Sequence, residues 1–510
     1  MSAELALAIV GVVDLCLKYG KELRKICKAL RGAEEEIEER ALRQVHEVMD
    51  DDHKALYERT LRMLVGKLEV ATSILKGLVK VQVGSPGDES SVTFTPRALK
   101  YAFRKDGLDE AIEALETWQR ISDPSWFLIL KKCDDRVDKM LANEESQLGE
   151  CIPSTSIIRK NILEDTPSIS GSSKLWLPST EIAKMELLDI RFSNSRIARK
   201  VRSNATSTYI LDNIGFADSK DYSITKLNIR DLARRLQHVD PQTFGLLNCK
   251  GFVEETPSFG SGATESSFMV VFRTPPTPST PRSLRDFLVN MGKPNSLSQR
   301  FSIAQELAKS VTYVHVFGFV HKNIRPENIL LFENLGKEPL SVYLLGFEGF
   351  RKEEGRTRRL GDETIERNLY RHPSRQGAVP ADEFIMQHDI YNFGVCLLEI
   401  GLWESFVTYD SNDSNATLSG MFGFPPTTSK EELMHFILSS SKDYFLSLAQ
   451  GPLRECMGTK YSEVVQTCLT CLDSGNSDFG DPKEFEDEDG IRVGVRYIEK
   501  ILSRLNSLSV

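Results

Sequence analysis

The side chains able to do chemistry gather between Gly318 and Phe350, in the stretch GFVHKNIRPENILLFENLGKEPLSVYLLGFEGF. His321, Lys322, Asn323, Arg325 and Asn328 precede the apolar Ile329-Leu330-Leu331, and Leu344-Leu345-Gly346-Phe347-Glu348 follows. Asn323 is an amide without a basic oxygen, so it is no acceptor for a hydroxyl proton. Gly346 has no side chain and offers nothing to a metal. Among the eight histidines no Ser-His-Asp constellation, paired glycosidase carboxylates or metal cluster stands out. Of nine cysteines, Cys468 and Cys471 alone form a C-x-x-C. They lie in an apolar, helix-like run with no second pair or nearby His to complete a zinc site, and read as buried thiols of a reduced intracellular protein. No metal and no cofactor is expected.

His321 to Asn328 resembles the catalytic loop of a protein kinase, H-R-D-x-x-x-x-N, and Gly346-Phe347-Glu348 falls where that family carries D-F-G. The resemblance implies a two-lobed kinase-like fold in which Asn323 replaces the proton-accepting Asp and Gly346 the metal-binding Asp. Lys322 replaces the Arg that reads a phosphorylated activation loop, and an ammonium is a poorer fork. Asn328 matches the second metal ligand, and His321 a residue that packs centrally. The best-preserved match is His388 to Ile400, similar to the central buried helix of the large lobe; Asp389 would cap it and tie down the catalytic-loop backbone. Tyr370-Arg371-His372-Pro373-Ser374 looks like the end of an activation segment, preceded by Thr357 and Thr364 as conceivable phosphorylation sites.

The nucleotide-binding parts are missing. No G-x-G-x-x-G occurs before residue 260, and the strand that should carry the phosphate-pairing Lys reads Tyr209-Ile210-Leu211-Asp212-Asn213. Asp231 is the helix residue that would have paired that Lys. Phosphoryl transfer is mostly positioning and charge neutralisation, so these losses remove most of what catalysis uses. The expectation is a pseudokinase without nucleotide. Under the alternative, an atypical kinase, Glu348 would supply the metal ligand for Mg-ATP.

The elements that must hold these residues follow from pattern. Residues 205 to 273 read as strand, helix, strand, strand: Thr208–Leu211, Lys226–His238, Gly245–Val253 and Phe268–Phe272. That order resembles the small lobe from its third strand onward, with Thr274 to Pro278 as the hinge. Leu297–Val316 is an amphipathic helix leading into the catalytic-loop segment. Helices at Lys430–Leu438, Lys442–Ala449, Ser462–Leu472 and Val493–Leu505 complete the large lobe.

The chain has 510 residues, enough for two or three domains, and its net charge of -9 argues against general nucleic-acid binding. Residues 2 to about 143 read as helices, the third from Leu56 to Val81, with no useful strand. The opening LALAIVGVVDLCLKYGKELRKICKALRG looks like the start of the HeLo domain, the prion-inhibition and propagation helical domain of filamentous fungi. In that family the first helix is thought to leave the bundle and perturb the plasma membrane, causing regulated cell death. The resemblance makes Leu5, Ile9, Val12 and Val13 candidates for membrane contact. The same stretch lacks a basic n-region and is interrupted by Asp14, so neither a secretory signal nor a spanning helix is expected.

The whole is thus expected to be multidomain: an all-α HeLo-like bundle at 1–150, a Ser/Thr/Pro-rich linker at 151–190, and an α+β kinase-like domain at 191–508. Its small lobe would take about 191–273 and its large lobe about 282–508. Arg191 to Arg202, with five basic residues and no acid, reads as an exposed helix or strand edge or a contact for anionic lipid. The function expected is non-enzymatic: a dead kinase-like domain regulating the bundle in cell death or incompatibility, cytoplasmic and recruited to the plasma membrane, with homo-oligomerisation on activation. An upstream protein partner is implied but not identified. A scaffold that never touches lipid is the other non-enzymatic reading.

Overall fold

The computed structural model describes residues 79–83, 92–96, 175–202, 205–215, 219–255, 267–275, 280–290, 296–333, 340–352, 361–410, 415–479 and 491–508. The chain divides into two compact units, Met1–Asp134 and Asp135–Val510. In the first, β1 (Val79–Val83) and β2 (Val92–Pro96) pair antiparallel, Val79 opposite Pro96 and Val83 opposite Val92. This hairpin corrects the all-α expectation, and a third helix reaching Val81. Val79, Val81 and Val83 alternate with Lys80 and Gln82, a period of two that suits a strand and not a helix. Leu5, Ile9, Val12 and Val13, like the bundle expected around them, lie outside the described residues.

The small lobe of the second unit is built on a five-stranded antiparallel sheet. Its strands are β3 (Glu186–Asp189), β4 (Arg196–Arg202), β5 (Ala205–Gly215), β6 (Cys249–Glu255) and β7 (Ser267–Arg273), in the order β3-β4-β5-β7-β6. Two expectations change here. The linker does not run to residue 190: Leu175–Leu177 is hydrogen-bonded to Phe252 at 2.9 Å in each direction, and β3 follows. Gly251 permits this approach, since a Cβ there would stand 2.4 Å from the Leu175 carbonyl. Nor is Arg191–Arg202 a sheet edge, because β4 is paired on both sides and Ile197 and Ala198 are buried.

One face of the sheet gathers Ala198, Leu211, Val253, Met269 and Val271 with Ile182 and Met185 into a core. Helix α1 (Ser219–Leu236) turns Ile229, Leu232, Ala233 and Leu236 inward and lies against β6 and β7. It begins a full two turns before the expected Lys226.

The large lobe hangs on two buried helices. In α3 (Leu297–Val316), which follows β8 (Arg282–Ser283) and α2 (Leu284–Asn290), Ser296 caps the start by accepting from the Gln299 amide at 3.2 Å. Gly318, at φ +71°, turns α3 into β9 (Phe319–Val320), where a β-carbon would be strained. Then β10 (Ile329–Phe332) and β11 (Ser341–Leu344) form a hairpin that sets Ile329 opposite Leu344. That register brings Asn328 beside Leu345. After β12 (Arg351–Lys352), helix α4 (Met386–Leu402) is buried from Met386 to Gly401. Strands β13 (Val407–Tyr409) and β14 (Ala416–Leu418) precede α5 (Lys430–Leu448), α6 (Thr459–Leu469) and α7 (Ile491–Tyr497).

The expected break of α5 near Ser439-Ser440-Ser441 does not occur. The Ser439 and Ser441 hydroxyls donate back to the carbonyls of His435 and Ile437 at 2.7 Å, leaving the helical ladder unbroken. Among the described residues no helix is long and apolar enough to cross a membrane.

Candidate functional site: a cleft filled by its own side chains

The catalytic-loop positions are held from below by α4. The Asp389 carboxylate accepts from the amides of His321 at 2.7 Å and Lys322 at 2.8 Å, with His315 Nε2 3.3 Å away. Asp389 sits one turn inside the helix and does not cap it; the cap position is Ile385. Lys322 takes a left-handed φ of +66°, and this tether fixes the backbone there. His321 is fully buried with its ring 4.9 Å from that of Phe347, and burial pushes its pKa down to about 4. Burial, with Arg351 and Arg375 close by, lowers the Lys322 amine to about 7.

The amides that stand where a base and a metal ligand are needed bond to one another. Asn323 Nδ2 donates to the Gly346 carbonyl at 3.2 Å, and Asn323 Oδ1 accepts from Arg325 Nε at 3.0 Å. Asn328 Nδ2 donates to the Asn323 carbonyl at 2.7 Å. The Asn328 side chain also fills the space beside Gly346. A Cβ on Gly346 would lie 2.2 Å from Asn328 Cγ, and the backbone there has φ +80°, so position 346 is closed to any side chain as the site stands.

The third departure is Asp212 on β5. Its carboxylate reaches across the cleft and accepts from the amides of Gly346 at 3.1 Å and Phe347 at 3.0 Å, while Ser195 Oγ donates to its other oxygen at 3.3 Å. Burial raises the Asp212 pKa to about 6, against the lowering effect of those bonds; nearby Glu348 adds to the rise. An anion is thus already seated on the backbone donors at the metal-motif position. The sequence marked Asp212 as a missing Lys, but its partners come from a segment more than a hundred residues away and carry no local signal.

Glu348, the alternative metal ligand, is held by Arg367 at 2.9 Å. Asp231 pairs with Arg234 on its own helix at 3.9 Å. Cys468 and Cys471 are buried, with thiol pKa values pushed up by burial, and Cys471 Sγ lies 3.2 Å from the Gln387 carbonyl. Among the described residues no group of His, Cys, Asp and Glu is arranged to hold a metal. Thr357 lies outside the described residues; the Thr364 amide donates to Asp362 at 2.9 Å.

Arg285 on α2 was not singled out by spacing. Fully buried, it pairs with Glu327 at 2.9 Å and Glu399 at 2.7 Å and also donates to Ser405 and the Tyr370 hydroxyl. Tyr409 Oη donates to Glu327 at 2.7 Å, and Tyr370 Oη to Glu399 at 2.6 Å. Burial alone would lower the Arg285 pKa, but the two carboxylates outweigh it and keep the guanidinium charged. Arg285 thereby joins α2, the catalytic-loop turn Pro326–Asn328, α4 and the segment after it. The charged pair Arg285-Asp286 set between Leu284 and Phe287-Leu288 was the available hint.

No curated protein matches the chain. The description "Protein tyrosine and serine/threonine kinase" matches residues 264–419, which span β7 to β14 and hold the catalytic-loop segment, Gly346 and α4. Together with the sheet-and-helix architecture, this match makes residues 264–419 a protein kinase-family domain.

Proposed function

We propose that the kinase-family domain is a pseudokinase, a fold that has kept its framework and does not transfer phosphate. The observation carrying this reading is the arrangement at Gly346. Its Cβ space is occupied by Asn328, and its amide is engaged by Asp212 where the family seats a cation. Magnesium needs near-octahedral oxygen ligands, and one amide already bonded to Asn323 does not hold it against its hydration shell. Asn323, donating to the Gly346 carbonyl and accepting from Arg325, has no free basic oxygen for a substrate hydroxyl.

In this reading the domain works by conformation. It regulates the HeLo-like region in a membrane-perturbing cell-death or incompatibility response. The protein rests in the cytoplasm, oligomerises on activation by an upstream partner and is then recruited to the plasma membrane. The layout, a helical effector followed by a dead kinase, is the support for this wider part.

Two measurements test it. Titration with Mg-ATP is expected to leave the melting temperature unchanged, because only a ligand of the folded state raises it. Incorporation of labelled phosphate at a steady turnover, lost in Glu348→Ala, would instead establish an active kinase. For the membrane part, the full chain is compared with Leu5→Glu in a liposome-leakage assay. Equal, negligible leakage from both removes that claim.

A further inference from the structure

Two sets of contacts cross from the small lobe to the large lobe where the cleft would open. The first is Asp212, described above, on the amides of Gly346 and Phe347. The second comes from the turn between β3 and β4. There Phe192 adopts φ +59°, a left-handed conformation that a bulky residue rarely takes and keeps only when its surroundings impose it. Its ring centroid lies 4.6 Å from that of Tyr409 on β13, and the Arg191 guanidinium sits 4.8 Å from the same Phe192 ring. The Arg191 carbonyl accepts from Ser283 Oγ at 2.7 Å, and its side chain stands 4.0 Å from Asp286.

These two sets are joined at both ends. In the small lobe, Ser195, on the same turn as Phe192, bonds to Asp212. In the large lobe, Tyr409 bonds to Glu327, whose neighbour Asn328 packs against Gly346. We infer that Phe192 and Asp212 form one intramolecular clamp that holds the cleft closed without any ligand. The inference rests on the pseudokinase reading, in which closure needs no nucleotide. The clamp gives such a domain a defined closed state, and a regulator would act by breaking it.

Hydrogen exchange of the full chain, read by mass spectrometry, tests the clamp with Asp212→Ala and Phe192→Ala. A shared clamp predicts that Asp212→Ala speeds exchange about tenfold or more, the loss of charge-assisted bonds, in residues 191–195 and 406–410 as well as 344–350. Phe192→Ala is expected to speed exchange at 344–350 as well as in its own turn. Phe192→Leu, which keeps an apolar side chain and removes only the ring contact, is expected to act in the same segments more weakly. If each variant changes only the segment it touches, or none, the contacts are local packing and the clamp is wrong. Protection of the wild-type chain by Mg-ATP is a separate result: it would overturn the pseudokinase reading while leaving the communication between segments to be judged on the variants.

Discussion

Asp212 carries a buried negative charge whose ordinary partner, a cation, is absent from its hydrogen bonds. Its folded pKa of about 6 lies above the unfolded value near 3.8, with burial as the main cause. The stability it contributes is therefore fully present below about 3.8 and lost as pH rises through 6. Asp212→Asn has no such dependence. The stability of wild type relative to this variant should thus fall by roughly 3 kcal/mol between pH 3 and pH 7, as read by urea unfolding at each pH. Gly346→Asp, the change that nominally restores a metal ligand, should lower stability by roughly 2–5 kcal/mol through the Asn328 overlap and the positive φ, and should restore no Mg-ATP binding. An unchanged denaturation midpoint would show that Asn328 moves aside freely. At this scale the sequence was informative about what is missing. Asn323, Gly346 and Asp212 were each recognisable as the wrong residue type. What they do instead, bonding to one another, depends on distances that no spacing rule supplies.

Among the elements, α4 organises the large lobe, and its two buried carboxylates have different tasks. Asp389 ties the catalytic-loop backbone, and Glu399 helps hold Arg285. Removing Arg285 leaves Glu327 and Glu399 buried without their cation, so Arg285→Ala should cost about 3–5 kcal/mol in chemical denaturation. Asp389→Ala leaves the amides of His321 and Lys322 without an acceptor and should cost about 1–3 kcal/mol, with faster hydrogen exchange at 321–323 as its local signature. Helix α3 was legible to the residue, because its apolar period holds along its whole length, whereas α1 and α5 were misplaced or split. The strands β3 and β4 were not legible. β3 is four residues long and follows a Ser/Thr/Pro-rich stretch, while the charges of β4 masked the inward Ile197 and Ala198. The hairpin β1–β2 was lost for a related reason. An alternating pattern of five residues adjoining a helical stripe is outvoted by the longer period.

At the scale of the whole molecule, α3, the catalytic-loop turn and α4 lie within the matched residues 264–419, whereas of the five-stranded sheet β7 alone does. A net charge of -9 sets a further expectation, no retention of nucleic acid at any ionic strength, checked by a filter-binding titration against salt.

The crowding of Gly346 by Asn328 has a consequence for descent. On the pseudokinase reading proposed above, a lineage carrying this site would not regain phosphoryl transfer by a single substitution. An Asp placed first at 346 meets an occupied volume, and a Lys placed first at 212 takes away the acceptor on which two backbone amides depend. On that reading each reversal is costly until the others are made, and the packing around Gly346 acts as a ratchet.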